Sequence, residues 1–304
     1  MSELKLPQLR LIAALADSGQ LSTAARHSGI SQPAASRLLA EVEQIIGHKV
    51  HIRQGRGMIL TPHGQALGRR AARILIELSE TTRELTELST GTGGHVRIGA
   101  ITGAALDRVL PALRQARLTL PDITVEVEVG TSDLLADLTL HGRLDLALCR
   151  LPAHQNPADF NFITLGDEHV NLVVRRDHAL RNLPLIAPKD LLHYDWVLPP
   201  SGAILRQAVL ARLAELGHPA PPGRLTTSSF LLTLAMLSQS NAIAPLSRPV
   251  AQRFATDPFA PYATLPLDLG IRMSDFGLVT RAGVQLTPAA ERIKTLILQT
   301  TSIP

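Results

Sequence analysis

Cysteine is almost absent from this 304-residue chain, in which Cys149 is the single one. One thiol can neither close an intramolecular disulfide nor supply a cysteine-based zinc site. Aromatic side chains are scarce, at 3% of residues, which disfavours a binding site built on ring stacking. No stretch reaches the roughly 18 continuous apolar residues of a membrane helix. Gln8, Arg10 and Asp17 interrupt the early apolar residues, and no signal-peptide cleavage pattern follows, so a soluble, cytoplasmic protein is expected. Catalytic signatures are missing as well: there is no glycine-rich dinucleotide loop, P-loop, GxSxG or HExxH. The 11 histidines do not pair with carboxylates at metal-ligand spacing. Neither an enzyme, a cofactor nor a metal is expected.

What is present is apolar enough to fold: 45% of residues are hydrophobic, and the length suits two or three compact units. The net charge of +4 says little alone, but its distribution says more. Residues 1–62 carry Lys5, Arg10, Arg26, Arg37, Lys49, Arg53 and Arg56 against Glu3, Asp17, Glu41 and Glu43.

The same region holds the densest local signals. Ser22 is expected to cap a short helix containing the small helix formers Ala24 and Ala25, and Gly29 stands where that helix should stop. Ser31 then caps a second helix with Pro33 in its first turn. Leu38, Leu39, Val42, Ile45 and Ile46 give this helix an apolar face, and Gly47 ends it. Helix, glycine-containing turn and helix form the helix-turn-helix pattern, although an ordinary pair of helices in some helical domain gives the same spacing. Under the first reading the start of the second helix faces the DNA major groove. Gln32, Pro33, Ala34, Ala35, Ser36 and Arg37, with the caps Ser22 and Ser31, are then the candidate DNA contacts, since Gln suits adenine and Arg suits guanine. Residues 50–53 and 57–60 read as two strands about a glycine-rich turn, a wing carrying Arg53 and Arg56 toward phosphate or the minor groove. Singly, each arginine could equally be a solvated surface charge.

Ala24-Ala25, Ile30-Ser31-Gln32-Pro33-Ala34, Ser36-Arg37, Glu43, Gly47, Arg53 and Leu60-Thr61-Pro62-His63-Gly64 together resemble the N-terminal domain of LysR-type transcriptional regulators. The chain departs from that pattern at Ser28, Ala35 and His51-Ile52. The resemblance implies a winged helix-turn-helix that binds promoter DNA.

Thr61 and Pro62 open a further helix. Leu67, Ala71, Ile74, Leu78, Thr81, Leu85 and Leu88 follow at alternating spacings of four and three, a heptad seam that suits a helical dimer. A single amphipathic helix packed on its own domain would share that pattern. Arg69, Arg70 and Arg73 lie off the seam, and the glycine-rich residues 90–94 read as a hinge.

From His95 the chain alternates between strands and helices. Strands are expected at 96–99, 123–129, 144–148, 170–174, 225–227, 242–244 and 277–279. Helices are expected at 106–118, 134–140, 204–216, 230–237 and 288–298. This alternation predicts a parallel α/β sheet, followed by a second such run over 165–265. The order, with Gly142-Arg143-Leu144-Asp145-Leu146 and Pro199-Pro200-Ser201-Gly202 as its clearest marks, resembles the periplasmic-binding-protein-like effector domain of the same family. Leu148-Cys149-Arg150-Leu151-Pro152 looks like the branch of galactose-binding-protein regulators and protocatechuate-responsive activators.

Ligands of open α/β sheets sit at the C-terminal strand ends, which names a candidate pocket. Thr102, Gly103, Thr131, Ser132 and Arg150 come from the first lobe, and Pro200, Ser201, Gly202, Ser228, Ser229 and Phe230 from the second. Arg150 could grip a ligand carboxylate or form a salt bridge in the hinge, and the hydroxyls could be simple helix caps. Cys149 could sense oxidation or simply be buried.

The expected architecture is an α/β multidomain chain. A winged helix-turn-helix takes residues 1–62 and a linker helix 63–90. A two-lobed effector domain takes 91–304, with lobe I at about 95–163 and 266–304 and lobe II at about 164–265. The resemblance implies a homodimer through the linker helix and a homotetramer. It also implies a small-molecule effector, with sugar, sugar acid and aromatic acid all open. The alternatives are a cytoplasmic small-molecule-binding protein without specific DNA recognition, or the solute-binding protein of a transporter.

Overall fold

Residues 3–54, 57–90, 93–221, 225–257 and 259–300 are described by the computed structural model. Their contacts divide into two units, Met1–Thr92 and Gly93–Pro304.

In the first unit, helix α1 (Leu6–Ser18) ends on Gly19 at positive φ. Helix α2 (Leu21–His27) begins at once with buried Leu21, so its cap position falls on Gln20 and not on Ser22. The Ser18 hydroxyl and Gly19 turn the chain so tightly that α2 starts two residues early, and Ser22 is left exposed in its first turn. The other caps lie where the residues predict. Gly29 has a φ of 68°, and Ser31 Oγ accepts from the Ala34 amide at the start of α3 (Gln32–Ile46). Gly47, at φ 72°, ends that helix. Ala24, Ala25 and Ala35 are buried with Leu11, Ile12, Leu15, Leu39 and Val42, small residues letting three helices approach closely. Strands β1 (His51–Gln54) and β2 (Gly57–Leu60) pair antiparallel with Ile52 opposite Ile59.

Helix α4 (Pro62–Thr90) lies on this core through its small residues. Thr61 Oγ1 accepts from the Gly64 amide at 3.1 Å and donates to the Lys49 carbonyl at 2.7 Å. A Cβ on Gly64 would stand 1.9 Å from the Val50 carbonyl oxygen, and one on Gly68 would stand 2.7 Å from the Ala16 Cβ. Ala71 is fully buried. Beyond it the apolar stripe leaves the core: Ile74, Leu78 and Leu85 are 50%, 47% and 62% exposed. The side chain of Leu88 lies outside the described residues.

The second unit begins with β3 (His95–Ala100) and a continuous helical stretch: α5 (Thr102–Ala104), a π segment (Ala105–Val109) and α6 (Leu110–Thr119). There follow β4 (Thr124–Val129), α7 (Ser132–Leu140), β5 (Leu146–Cys149), β6 (Phe160–Arg175), β7 (Val197–Leu198) and α8 (Ile204–Glu215). The chain ends with β8 (Leu225–Thr226), α9 (Phe230–Gln239), β9 (Ala244–Ser247), α10 (Arg248–Ala255), β10 (Tyr262–Thr264), β11 (Arg272–Arg281) and α11 (Pro288–Gln299).

One sheet runs β10-β6-β11-β5-β3-β4, with β9 also on β6. In the first lobe β3 lies parallel to β4 and β5, as the alternation predicts. The second lobe departs from that prediction, because β9 and β10 both pair antiparallel to β6; parallel pairing there is kept by β7 and β8. The reason is β6, a 16-residue strand that carries the chain across and so enters the second lobe as a template of fixed direction. The expected lobe break at 163/164 falls inside this strand. β11 runs antiparallel beside it, with register shifts at Met273–Phe276 and Phe276–Gly277. One core gathers Ile98, Leu135, Leu146, Leu148, Val279 and Ile293. Another gathers Leu172, Trp196, Val209, Leu213 and Ile243. Asp145 fastens the first lobe: its carboxylate accepts from the Arg97 amide at 2.7 Å and from Arg97 Nη2 at 2.8 Å. No helix among the described residues is long and apolar enough to cross a membrane.

Cys149 is fully buried at the end of β5. Burial pushes its thiol up to about 12, against the pull of the neighbouring Arg150 charge. The thiolate that reacts with oxidants is therefore scarce, and the redox alternative finds no support in this environment.

Gly64→Ala drives a methyl into a backbone carbonyl, so it should cost about 2–3 kcal/mol or more. Hydrogen exchange of α1 and α4 should accelerate while that of residues 93–304 stays unchanged. Cys149 should resist alkylation in the native chain near neutral pH and react fully in denaturant; rapid native labelling would contradict its burial.

Candidate functional site

Two surfaces gather the residues singled out in the sequence. The first is the start of α3. Ser31, Gln32, Pro33, Ser36 and Arg37 are exposed and Ala34 is half-buried. Ala35 is a correction: it is 0% exposed, because the helical period turns it with Leu39 and Val42 toward α1 and α2. It can contact no groove. Its small side chain serves the core.

Glu43 joins the far end of α3 to the wing. Its carboxylate accepts from Lys49 Nζ at 2.7 Å and from the Val50 amide at 3.1 Å, and faces His51 Nδ1 at 3.0 Å. Burial pushes the Glu43 carboxyl up, but the Lys49 and Val50 hydrogen bonds and the His51 charge together outweigh it and hold the group below the ordinary value. Of the wing arginines, Arg56 and the side chain of Arg53 lie outside the described residues. Arg69 and Arg70 are exposed on α4.

The second surface is a cavity of about 870 Å³ within the second unit, lined from both lobes. Thr102, Gly103, Thr131, Ser132, Arg150, Pro200, Gly202, Ser228, Ser229 and Phe230 all line it. Ser201 does not: it is exposed in the turn before α8, and Gly202 and Ala203 take the wall instead. Several predicted hydroxyls have local work. Ser132 Oγ accepts from the Arg150 amide at 3.2 Å, and Ser229 Oγ from the Leu232 amide at 3.2 Å.

Arg150 is held by the protein itself. Its Nη2 donates to Glu168 Oε2 at 2.9 Å and its Nε to the Ser274 carbonyl at 2.7 Å. Its guanidinium lies 6.0 Å from the centre of the Phe276 ring. The hinge salt bridge, one of the two readings open from the sequence, is the one the geometry contains. It links the end of β5 to both crossing strands. Glu168, Asp133, Thr227, Ser247 and Met273 also line the cavity and were missed from sequence. Asp167-Glu168-His169, three polar residues inside a strand, was an available signal for Glu168. Ser247, at the cap position before Arg248-Pro249, could have been found as a cap. No cluster of three or more metal-ligating side chains occurs among the described residues.

Comparison with known proteins assigns both units. The family model described as "Bacterial regulatory helix-turn-helix protein, lysR family" matches residues 6–65, and "LysR substrate binding domain" matches residues 89–302. The HTH-type transcriptional regulator GbpR of Rhizobium radiobacter is 39% identical over 249 residues, covering 81% of this chain and 82% of the relative. The HTH-type transcriptional regulator PcaQ of Agrobacterium fabrum is 29% identical over 284 residues, covering 93% and 90%. Among solved structures, full-length CbnR complexed with its target DNA has a TM-score of 0.59 at 21% identity, covering 98% of this chain and 100% of that one. Both units are thus accounted for, and the chain belongs to the LysR family of DNA-binding transcriptional regulators.

Proposed function

We propose that Gln32, Ser36 and Arg37 read base edges in the major groove, with Ser22 and Ser31 at phosphates and Arg53 and Arg56 of the wing holding the backbone. The observation carrying this reading is the division of α3. Ala35, Leu39 and Val42 are buried, whereas Gln32, Ser36 and Arg37 stand exposed in its first turns. Helix N-termini favour phosphate through their free amides, and the capped start of α3 supplies such an end. A related fold solved on its target DNA supports the assignment.

The α4 seam is proposed as the dimer interface. Ile74, Leu78 and Leu85 form an apolar stripe left exposed at heptad spacing, on a 29-residue helix that spans roughly 43 Å at about 1.5 Å per residue. Paired dimers give a tetramer that works in the cytoplasm as a binding device and performs no catalysis. A small polar effector, drawn from the sugars, sugar acids and aromatic acids, occupies the cavity. By binding one lobe arrangement better than another it shifts the population, and so the spacing of the DNA-reading heads and the bend they impose.

Two variants test this reading. Arg37→Ala should lose about 1–3 kcal/mol at the preferred site and little on unrelated DNA, measured by titration at two salt concentrations. Equal loss on every sequence would make Arg37 a phosphate contact. Leu78→Asp should convert dimers to monomers in sedimentation while leaving the α/β unit folded; an unchanged mass would move the interface elsewhere. The target sites come from sequencing the genomic fragments that the purified protein retains at moderate salt. Uniform retention would remove the claim of specific reading.

A further inference from the structure

The cavity contains its own carboxylate–guanidinium pair. Among the described residues lining it, Arg150 is the one cation, whereas Asp133 and Glu168 are both acids. Arg150 and Glu168 side chains are 6% and 5% exposed and pair at 2.9 Å. Buried charges of this kind persist only when paired, so the guanidinium is committed within the protein and offers an incoming anion no free charge.

The backbone opposite makes room for this arrangement. A Cβ on Gly103 would stand 1.9 Å from Glu168 Oε1 and 2.7 Å from Ser247 Oγ. Glycine here lets the Glu168 carboxylate lie against the main chain that opens the first helical stretch. Ser247 Oγ, beside it, is buried without a hydrogen-bond partner, and Ser247 lines the cavity. An unmet buried hydroxyl costs about 1–3 kcal/mol.

We propose that Glu168 is a specificity-determining residue that fills, from within the protein, the position a ligand carboxylate would take against Arg150. It thereby reserves the cavity for an uncharged, hydroxyl-bearing effector. The proposal rests on the effector reading of the cavity and selects within it: a neutral polyol or sugar is accepted, and its acid counterpart is repelled by Glu168 and Asp133.

The test uses the full chain, wild type and Glu168→Ala, in thermal melts and calorimetric titrations. The probes are acetate, with chloride at equal ionic strength as control, and a panel of neutral hexoses and pentoses with their uronates. Acetate should leave the wild type where chloride leaves it and should raise the melting temperature of Glu168→Ala saturably, by refilling the vacated position. In the wild type a neutral sugar should bind at least about tenfold better than its uronate, and Glu168→Gln should shrink that preference by at least about tenfold, as removal of a nearby unit charge requires. The Gln variant keeps a side chain of the same size beside Arg150 and decides the matter if the Ala variant does not fold. A wild type that prefers a uronate, or a preference unchanged in Glu168→Gln, overturns the proposal. Acetate rescue of Glu168→Ala without any sugar response would uphold the filled anion position and instead sink the reading of the cavity as a sugar effector site.

Discussion

A guanidinium taken out of water must be paired, and much of the second unit is arranged to meet that demand at Arg150. Its carboxylate comes from β6 and its carbonyl from β11, the two strands that cross between the cores. The pair therefore does more than neutralise a charge. It ties the C-terminal end of β5 to both crossings at the floor of the cavity. Glycine at position 103 follows from it, because the Glu168 carboxylate occupies the space a side chain would need. One electrostatic requirement thus accounts for a residue choice, a cavity wall and the joint between two cores.

The first unit answers to a different constraint, close approach. Gly64, Gly68 and Ala71 bring α4 against α1 and the Val50 carbonyl, and the same helix then runs on with leucine and isoleucine facing outward. A single helix is thus small-sided where it must nest and large-sided where its stripe is left open. Glu43 completes the unit from the other direction, fastening the end of α3 to Lys49, Val50 and His51, so the helix with the exposed Gln32, Ser36 and Arg37 is held at its far end as well as by its Ser31 cap.

Local chemistry made these features legible in the sequence to different degrees. Gly29, Ser31, Gly47 and Thr61 were readable because caps and positive-φ turns depend on the residue itself and its immediate neighbours. Ser22 misled because Ser18 and Gly19 supply a competing turn just upstream. Ala35 stands four and seven residues before Leu39 and Val42, so helical spacing already places it on the buried face; only its position in the first turns of α3 suggests a groove contact. The strand-end rule found ten of the eleven cavity residues it named. The eleventh, Ser201, is named by the rule but lies one position outside the wall. The rule missed Glu168, because that residue belongs to a strand crossing the hinge, and the antiparallel pairing of β6 depends on contacts far away in sequence. The partner of Arg150 lies 18 residues on, and nothing local to either residue announces the pairing.

Continuity of β6 and β11 limits how the two cores can move. A ligand changes an equilibrium only through contacts that differ between its states, and two unbroken hydrogen-bonded strands resist sliding more than they resist twisting. The sites where twist is cheapest are visible: Gly166 at φ 131° and the register shifts that flank Phe276. Arg150 sits over that irregular stretch, bound to the Ser274 carbonyl and 6.0 Å from the centre of the Phe276 ring. Rotation of one core against the other must therefore either carry the Arg150–Glu168 pair along as a rigid pivot or break it. Breaking it would strand a buried charge at a cost of roughly 3–5 kcal/mol, comparable to the few kcal/mol that separate two-state conformers. An effector that binds beside an intact pair leaves the pivot whole, whereas one competing for Arg150 would have to offset that cost first. The pair is thus better suited to be the fixed point of the motion than its trigger.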